Sequence, residues 1–183
     1  MNVISRIACR RSLCLSILGL LLGIATAFPV NAADGDLKSI AILDFELIDE
    51  MRDLAPATVE YQRLVVARDQ LAEAFSQAGL YRVVDLEPAA ELMKRLKSEQ
   101  RLNECNGCEI DIAKVVKADR VLVGWVQKVS NLILNLNIVI EDTTTGAVVL
   151  VTSVDMRGNT DESWRRSVPY LVRQMVDKGQ GNR

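Results

Sequence analysis

Apolar and polar positions change their period along this chain, and the changes mark out its elements. Ser39-Ile40-Ala41-Ile42-Leu43-Asp44-Phe45 is a nearly continuous apolar run, the pattern of a strand buried on both faces. It predicts a first, central strand. From Thr58 to Ala78 the residues Leu64, Leu71, Phe75 and Ala78 recur at helical spacing, Val65, Ala72 and Ala74 broaden the stripe, and Gly79 stands where a helix stops. Tyr81 to Leu86 predicts a short strand. Pro88 then falls in the first turn of a helix that carries Leu92, Met93 and Leu96 to about Gln100. The polar stretch Ser98 to Gly107 interrupts the pattern, and Ile110, Ile112, Ala113, Val115 and Val116 predict a third, shorter helix ending near Ala118.

The period then becomes two. Val121, Val123 and Trp125 alternate with Leu122, Gly124 and Val126; Leu132, Leu134, Leu136, Ile138 and Ile140 alternate with Asn131, Asn135, Asn137 and Glu141. Both are strands, and one face of the second is polar. Asp142 to Gly146 reads as a hairpin loop and Ala147 to Met156 as the returning strand. A last helix carries Trp164, Val168, Leu171, Val172, Met175 and Val176. Pro169 requires either that its regular part begin near Ser167 or that a longer helix kink there. The order β-α-β-α-α-β-β-β-α predicts one α/β domain of three-layer character, with a mixed central sheet of about five strands and helices packed on it.

The amino terminus has the layout of an export signal: basic Arg6, Arg10 and Arg11, an apolar run from Leu13 to Ala27, and a small-residue exit at Val30-Asn31-Ala32. The run is too short to span a bilayer. The expectation is cleavage after Ala32, a domain over 33–178, a disordered tail over 179–183, and a periplasmic address. Cys14 stands at the beginning of the apolar run rather than at its end, the wrong place for a lipid-modified cysteine, so the mature protein is expected to be soluble and not a lipoprotein.

Losing the three leader arginines leaves 19 basic against 24 acidic residues, a net charge of −5. Such a surface repels phosphate backbones and argues against nucleic-acid binding. There is no histidine, which removes the usual general base near neutral pH, the commonest metal ligand, and every Ser-His or Cys-His pairing. No catalytic residue, cofactor or metal site is expected.

Cys105-Asn106-Gly107-Cys108 sits just before the third helix. A thiol at a helix amino terminus gains thiolate character, the basis of redox motifs, but such motifs follow a buried strand and this one follows a polar stretch. In an oxidising compartment the pair reads as a local disulfide fixing the turn, worth about 2 kcal/mol at most for so short a ring. Two cysteines without histidine make only half a zinc site. Asp44, Glu46, Asp49 and Glu50 follow the first strand and Asp85 ends the second, at the sheet edge where open α/β folds bind ligands. Solvated loops and helix caps contain the same residues. Trp164 lies on the core stripe of the last helix. Trp125 either joins Val121 and Val123 in the core or, with a register slip, faces outward, where it could anchor a partner. Asn135 and Asn137 line a strand face that suits solvent or a hydrogen-bonding partner.

With Ala41-Ile42-Leu43-Asp44-Phe45 at its start, Lys117 to Gly124 in the middle and Asp142-Thr143-Thr144-Thr145-Gly146 in the last hairpin, the order of elements resembles a group of envelope proteins. The group comprises the curli secretion-pore family, the amino-terminal domain of TolB and the lipoprotein activators of penicillin-binding proteins. Within it the chain is most similar to short secreted bacterial proteins of unknown function. It lacks a lipid-bearing cysteine and the extra amphipathic hairpins of the pore formers. The resemblance implies a periplasmic, non-enzymatic binding or assembly accessory protein whose partner is another cell-envelope protein. The rivals are a thiol-disulfide protein using Cys105 and Cys108, and a soluble binder of a small ligand at the strand ends.

Overall fold

A computed structural model of the protein describes residues 37–51 and 57–179. The export signal and residues 180–183 lie outside the described residues. The elements are β1 (Ser39–Ile42), β2 (Glu46–Asp49), α1 (Thr58–Gln77), β3 (Arg82–Val83), a 3₁₀ turn (Glu87–Ala89) leading into α2 (Ala90–Glu99), α3 (Cys108–Val115), β4 (Arg120–Lys128), β5 (Ile133–Asp142), β6 (Val148–Arg157) and α4 (Asp161–Asp177). They form a mixed six-stranded sheet in the order β3-β1-β4-β5-β6, with β2 also paired to β4. β1 and β2 run parallel to β4, β3 runs parallel to β1, and β5 and β6 continue as an antiparallel meander.

The sixth strand comes from a break in the first apolar run. Ile42 lies opposite Leu122 and Glu46 opposite Trp125, so Leu43, Asp44 and Phe45 span the length that Val123 and Gly124 span on β4. One extra residue reverses the facing of everything after it. Ile40 and Ile42 before the break, and Phe45 and Leu47 after it, therefore enter the same core.

That core lies between the sheet and the layer of α1 and α4. Leu64, Leu71 and Phe75 of α1, and Trp164, Val168, Leu171 and Met175 of α4, pack on Ile40, Ile42, Leu122, Leu136, Ile138 and Ile140. A smaller core on the opposite face joins Ala41, Leu43, Val121 and Val123 to Met93, Ile112 and Ala113 from α2 and α3. Four expected apolar helix positions fall outside: Val65, Ala78, Val115 and Val176 are exposed, because the stripe of each helix is narrower than its apolar content suggests. β3 is two residues long, shorter than the run from Tyr81 to Leu86. The last helix takes the longer course. Thr160 caps it, its Oγ1 accepting from the Ser163 N–H at 3.2 Å, and it runs through Pro169, whose side chain is exposed. The carbonyl that a proline cannot serve therefore sits on the solvent side of the helix. No described helix is long and apolar enough to cross a membrane.

Candidate functional site: an open sheet face

The two faces of the sheet are covered unequally. α1 and α4 blanket one; on the other, α2 and α3 cover β1 and the first half of β4 and stop there. Val121 and Val123 are buried beneath α3, while Trp125, two residues further along the same face, is only half-buried. Trp125 thus stays in register with Val121 and Val123 but runs past the layer that covers them, because α3 ends after eight residues.

Cross-strand pairing builds rows on this open face. Trp125 lies opposite Asn137 and Asn137 opposite Ser153; Gln127 lies opposite Asn135 and Asn135 opposite Asp155. The Asn135 Nδ2 donates to Asp155 Oδ1, and the Asn137 Nδ2 donates to the Asn135 carbonyl at 3.1 Å. Ile133 and Val151 flank the rows at 50% and 67% exposure. The result is a flat patch of indole, amides and aliphatic edges. The Ser153 hydroxyl and the Asp155 carboxylate share its β6 side, and Asp155 is taken up by Asn135.

The strand-end carboxylates do not converge. Asp44 is ion-paired with Arg68 at 3.2 Å and with Lys97. Glu46 accepts from the Leu102 N–H at 2.7 Å and the Asn103 N–H at 3.4 Å, holding the stretch between α2 and α3. Asp85 accepts from the Glu87 N–H at 3.0 Å at the start of the 3₁₀ turn. Asp49 pairs with Lys128 at 3.2 Å. Clefts of about 450 and 320 Å³ beside Asp44 are lined by these same side chains and open broadly to solvent.

Lys128 leads to a network the sequence reading missed. At 3% exposure its ammonium lies 3.2 Å from Asp49 and 3.4 Å from Glu60. Glu60 also accepts from the Asn159 Nδ2 at 2.7 Å, while Asn159 Oδ1 accepts from Trp164 Nε1 at 2.9 Å and from Arg63 at 2.8 Å. Arg63 closes on Asp161, which opens α4. Burial alone would raise the Glu60 pKa. Its own backbone N–H, Asn159 and Lys128 together hold it below the usual carboxylate range. The network ties the ends of β2, β4 and β6 to the starts of α1 and α4, and its members bond one another. It is a fastening.

Cys105 and Cys108 lie at disulfide-bonding distance, their Cα atoms 5.8 Å apart. Gly107 between them has φ +102°, and Cys108 is the first residue of α3. The Glu109 carboxylate lies within 4.8 Å of both sulfurs. An anion there opposes thiolate formation, the reverse of what a redox pair needs. Glu109 in turn meets Glu141 on β5. The Glu141 pKa is raised, first by burial and then by the charge and hydrogen bond of Glu109. A raised folded-state value means that the pair favours the fold fully below the ordinary glutamate pKa and loses that contribution as pH climbs through the folded-state value. Glu141→Gln is therefore expected to raise stability at neutral pH and leave it nearly unchanged in acid. Urea unfolding on either side of the carboxylate range checks this; equal shifts in both would show that the like-charge contact has no energetic weight.

Comparisons with known proteins return a family and several structural neighbours. The C-terminal domain of LpoB from Salmonella enterica aligns at a TM-score of 0.48 and 16% identity, covering 68% of this chain and 87% of that one. The lipoprotein GNA1162 from Neisseria meningitidis aligns at 0.47 and 18%, covering 77% and 95%. TolB from Acinetobacter baumannii aligns at 0.40 and 9%, covering 75% of this chain and 29% of that one. LpoB and TolB fall in the fold group the sequence resembles; the secretion-pore part of that resemblance gains no support. No curated protein matches the sequence. The model of the family described as "Protein of unknown function (DUF2380)" matches residues 38–176.

Proposed function

The chain belongs to the DUF2380 family, and from its surface we propose that it is an exported, non-enzymatic protein of the cell envelope that binds another envelope protein through the open face of β4, β5 and β6. The observation that carries the reading is the half-covered sheet. A three-layer domain normally finishes both faces of its sheet, and here the second layer stops one residue pair short of Trp125. An indole ringed by amides and flanked by Ile133 and Val151 has the composition of an interface centre: an aromatic anchor, hydrogen-bonding capacity and little charge. The leader, the soluble mature form and the periplasmic address belong to the same proposal.

Three features favour it over the rivals. The Cys105–Cys108 pair sits against a carboxylate rather than a cation. The strand-end acids are each satisfied by their own neighbours. The Ser39 hydroxyl, which donates to Asp119 at 2.6 Å, is buried at 2% exposure, out of a substrate's reach.

A photo-crosslinking amino acid placed at Asn137 in the full chain, expressed in its native envelope, tests the reading. One recurrent crosslinked envelope protein is expected. Trp125→Ala should weaken its capture about tenfold, the size of one interface anchor. A crosslink indifferent to Trp125, or none in repeated trials, would mean that the face is merely solvated.

A further inference from the structure

The free edge of the sheet differs from the open face and calls for a different occupant. β6 is an edge strand of ten residues, Val148–Arg157, with no partner strand beyond it among the described residues. Its pairing phase follows from the Gly158 N–H, which donates to the Leu132 carbonyl at 2.9 Å. By alternation, Met156, Val154 and Thr152 exchange their bonds with β5. The backbone groups of Val151, Ser153 and Asp155 then point to the open side.

Natural edge strands are usually blunted by proline, by lysine, by shortness or by a bulge along the edge. From Leu150 to Arg157 this one has no proline, no lysine and no bulge, and its only charges are Asp155, which is bonded to Asn135 on β5, and Arg157 at its end. Val148, Val149 and Val151 are exposed along it. Such a strand templates aggregation unless something covers it.

Beside the edge runs a groove of about 740 Å³ between β6 and α4. Val154, Met156, Pro169 and Tyr170 supply its apolar side, and Arg157, Arg165, Arg166 and Arg173 its rim; of the two acids that also line it, Asp155 is bonded to Asn135 and Glu162 to the arginines, so the groove keeps an excess of positive charge. Arg165 and Arg166 share Glu162, at 2.5 Å each. Arg157 and Arg173 have no carboxylate partner among the described residues. A basic groove on a chain of net negative charge selects an acidic ligand. The unpaired edge selects an extended one. A second copy of the chain fits poorly, since pairing β6 with itself would set the two arginine rims against each other.

We propose that the groove between β6 and α4 takes up an extended acidic segment of another protein, which adds as a seventh strand to β6 while its carboxylates meet the arginines of α4. The site lies off the face that carries Trp125 and does not depend on that face having a partner.

The probe is a fluorescent, capped octapeptide of alternating valine and glutamate, titrated against the mature chain; a lysine-for-glutamate version serves as control. Binding of the glutamate peptide is expected, with slowed amide exchange at Val151, Ser153 and Asp155. Arg166→Glu combined with Arg173→Glu should lower affinity at least tenfold. Proline at Ser153, whose N–H faces outward and so tolerates it in the free protein, should abolish binding, and Trp125→Ala should leave it unchanged. Equal binding of the lysine peptide, or binding without protection of β6 amides, would overturn the proposal. So would concentration-dependent protection of β6 in the absence of peptide, which would identify a second copy as the occupant.

Discussion

Replacing Lys128 by alanine is expected to destabilise the protein by about 3–5 kcal/mol, the cost of removing one partner from a buried charge cluster. Lys128 occupies the last core-facing position of β4, at 3% exposure, between Asp49 and Glu60. Without the ammonium, two carboxylates share a site that water reaches poorly, and the uncharged Asn159 amide and Glu60 N–H offset only part of the cost. The loss should depend on pH. The Glu60 pKa is lowered in the folded protein, so its contribution is present above the ordinary glutamate value and fades as pH falls through the folded-state value. Acid should therefore narrow the gap between wild type and Lys128→Ala, because protonation of Glu60 relieves the mutant and weakens the parent. Pairing Lys128→Met with Glu60→Gln should recover part of the loss, since only Asp49, the more exposed of the two carboxylates, is then left without its cation. Urea unfolding of the single and double variants at neutral and acid pH measures all of this. A single variant within about 1 kcal/mol of wild type would show that water enters the cluster freely.

This network was half legible. Period two places Arg120, Leu122, Gly124, Val126 and Lys128 on one face of β4, and a cation at each end of a core-facing row is a visible anomaly. Arg120 is likewise nearly buried, paired with Asp142 across the other end of the strand. Their partners could not be read. Glu60 is 68 positions from Lys128 and Asn159 is 99 from Glu60, and no local pattern joins residues so far apart.

Elements set by local chemistry were read closely. α1 begins at Thr58 as expected and ends one residue early, at Gln77, just before Gly79 at φ +61°. The last hairpin turns where Gly146 takes φ +69° and Asp142 accepts from the Thr145 N–H at 2.8 Å. β2 was missed because the extra residue at Leu43 to Phe45 breaks the alternation that would have announced it. On α4 the cap is encoded in Thr160 to Ser163, while Pro169 is equally compatible with a later start. The polar face of β5 was legible in Asn135 and Asn137. That it stays uncovered depends on where an eight-residue helix stops, which periodicity does not reveal.

The break between β1 and β2 carries the second large effect. Gly124 lies in β4 beneath the Phe45 ring, and a Cβ built there would sit 2.8 Å from Phe45 Cζ and closer still to Cε1 and Cδ1. Carbon atoms in packed cores keep about 3.5–4.0 Å apart, so any side chain at this position must move the ring. Phe45 is buried at 6% exposure and is held on both sides by its chain, through the Leu43 N–H to Leu122 and through the pairing of Glu46 with Trp125. It cannot swing aside without undoing the break that gives Leu47 its place in the core. Gly124→Val is therefore expected to cost about 3 kcal/mol, at the upper end of overpacking effects, although valine suits a strand better than glycine does. Phe45→Ala should cost about as much through the cavity it leaves. The two changes together should cost clearly less than their sum, since the valine fills part of the space the ring vacates. Thermal or urea unfolding of the four proteins closes the cycle. A strictly additive pair would mean that the ring and the glycine do not meet.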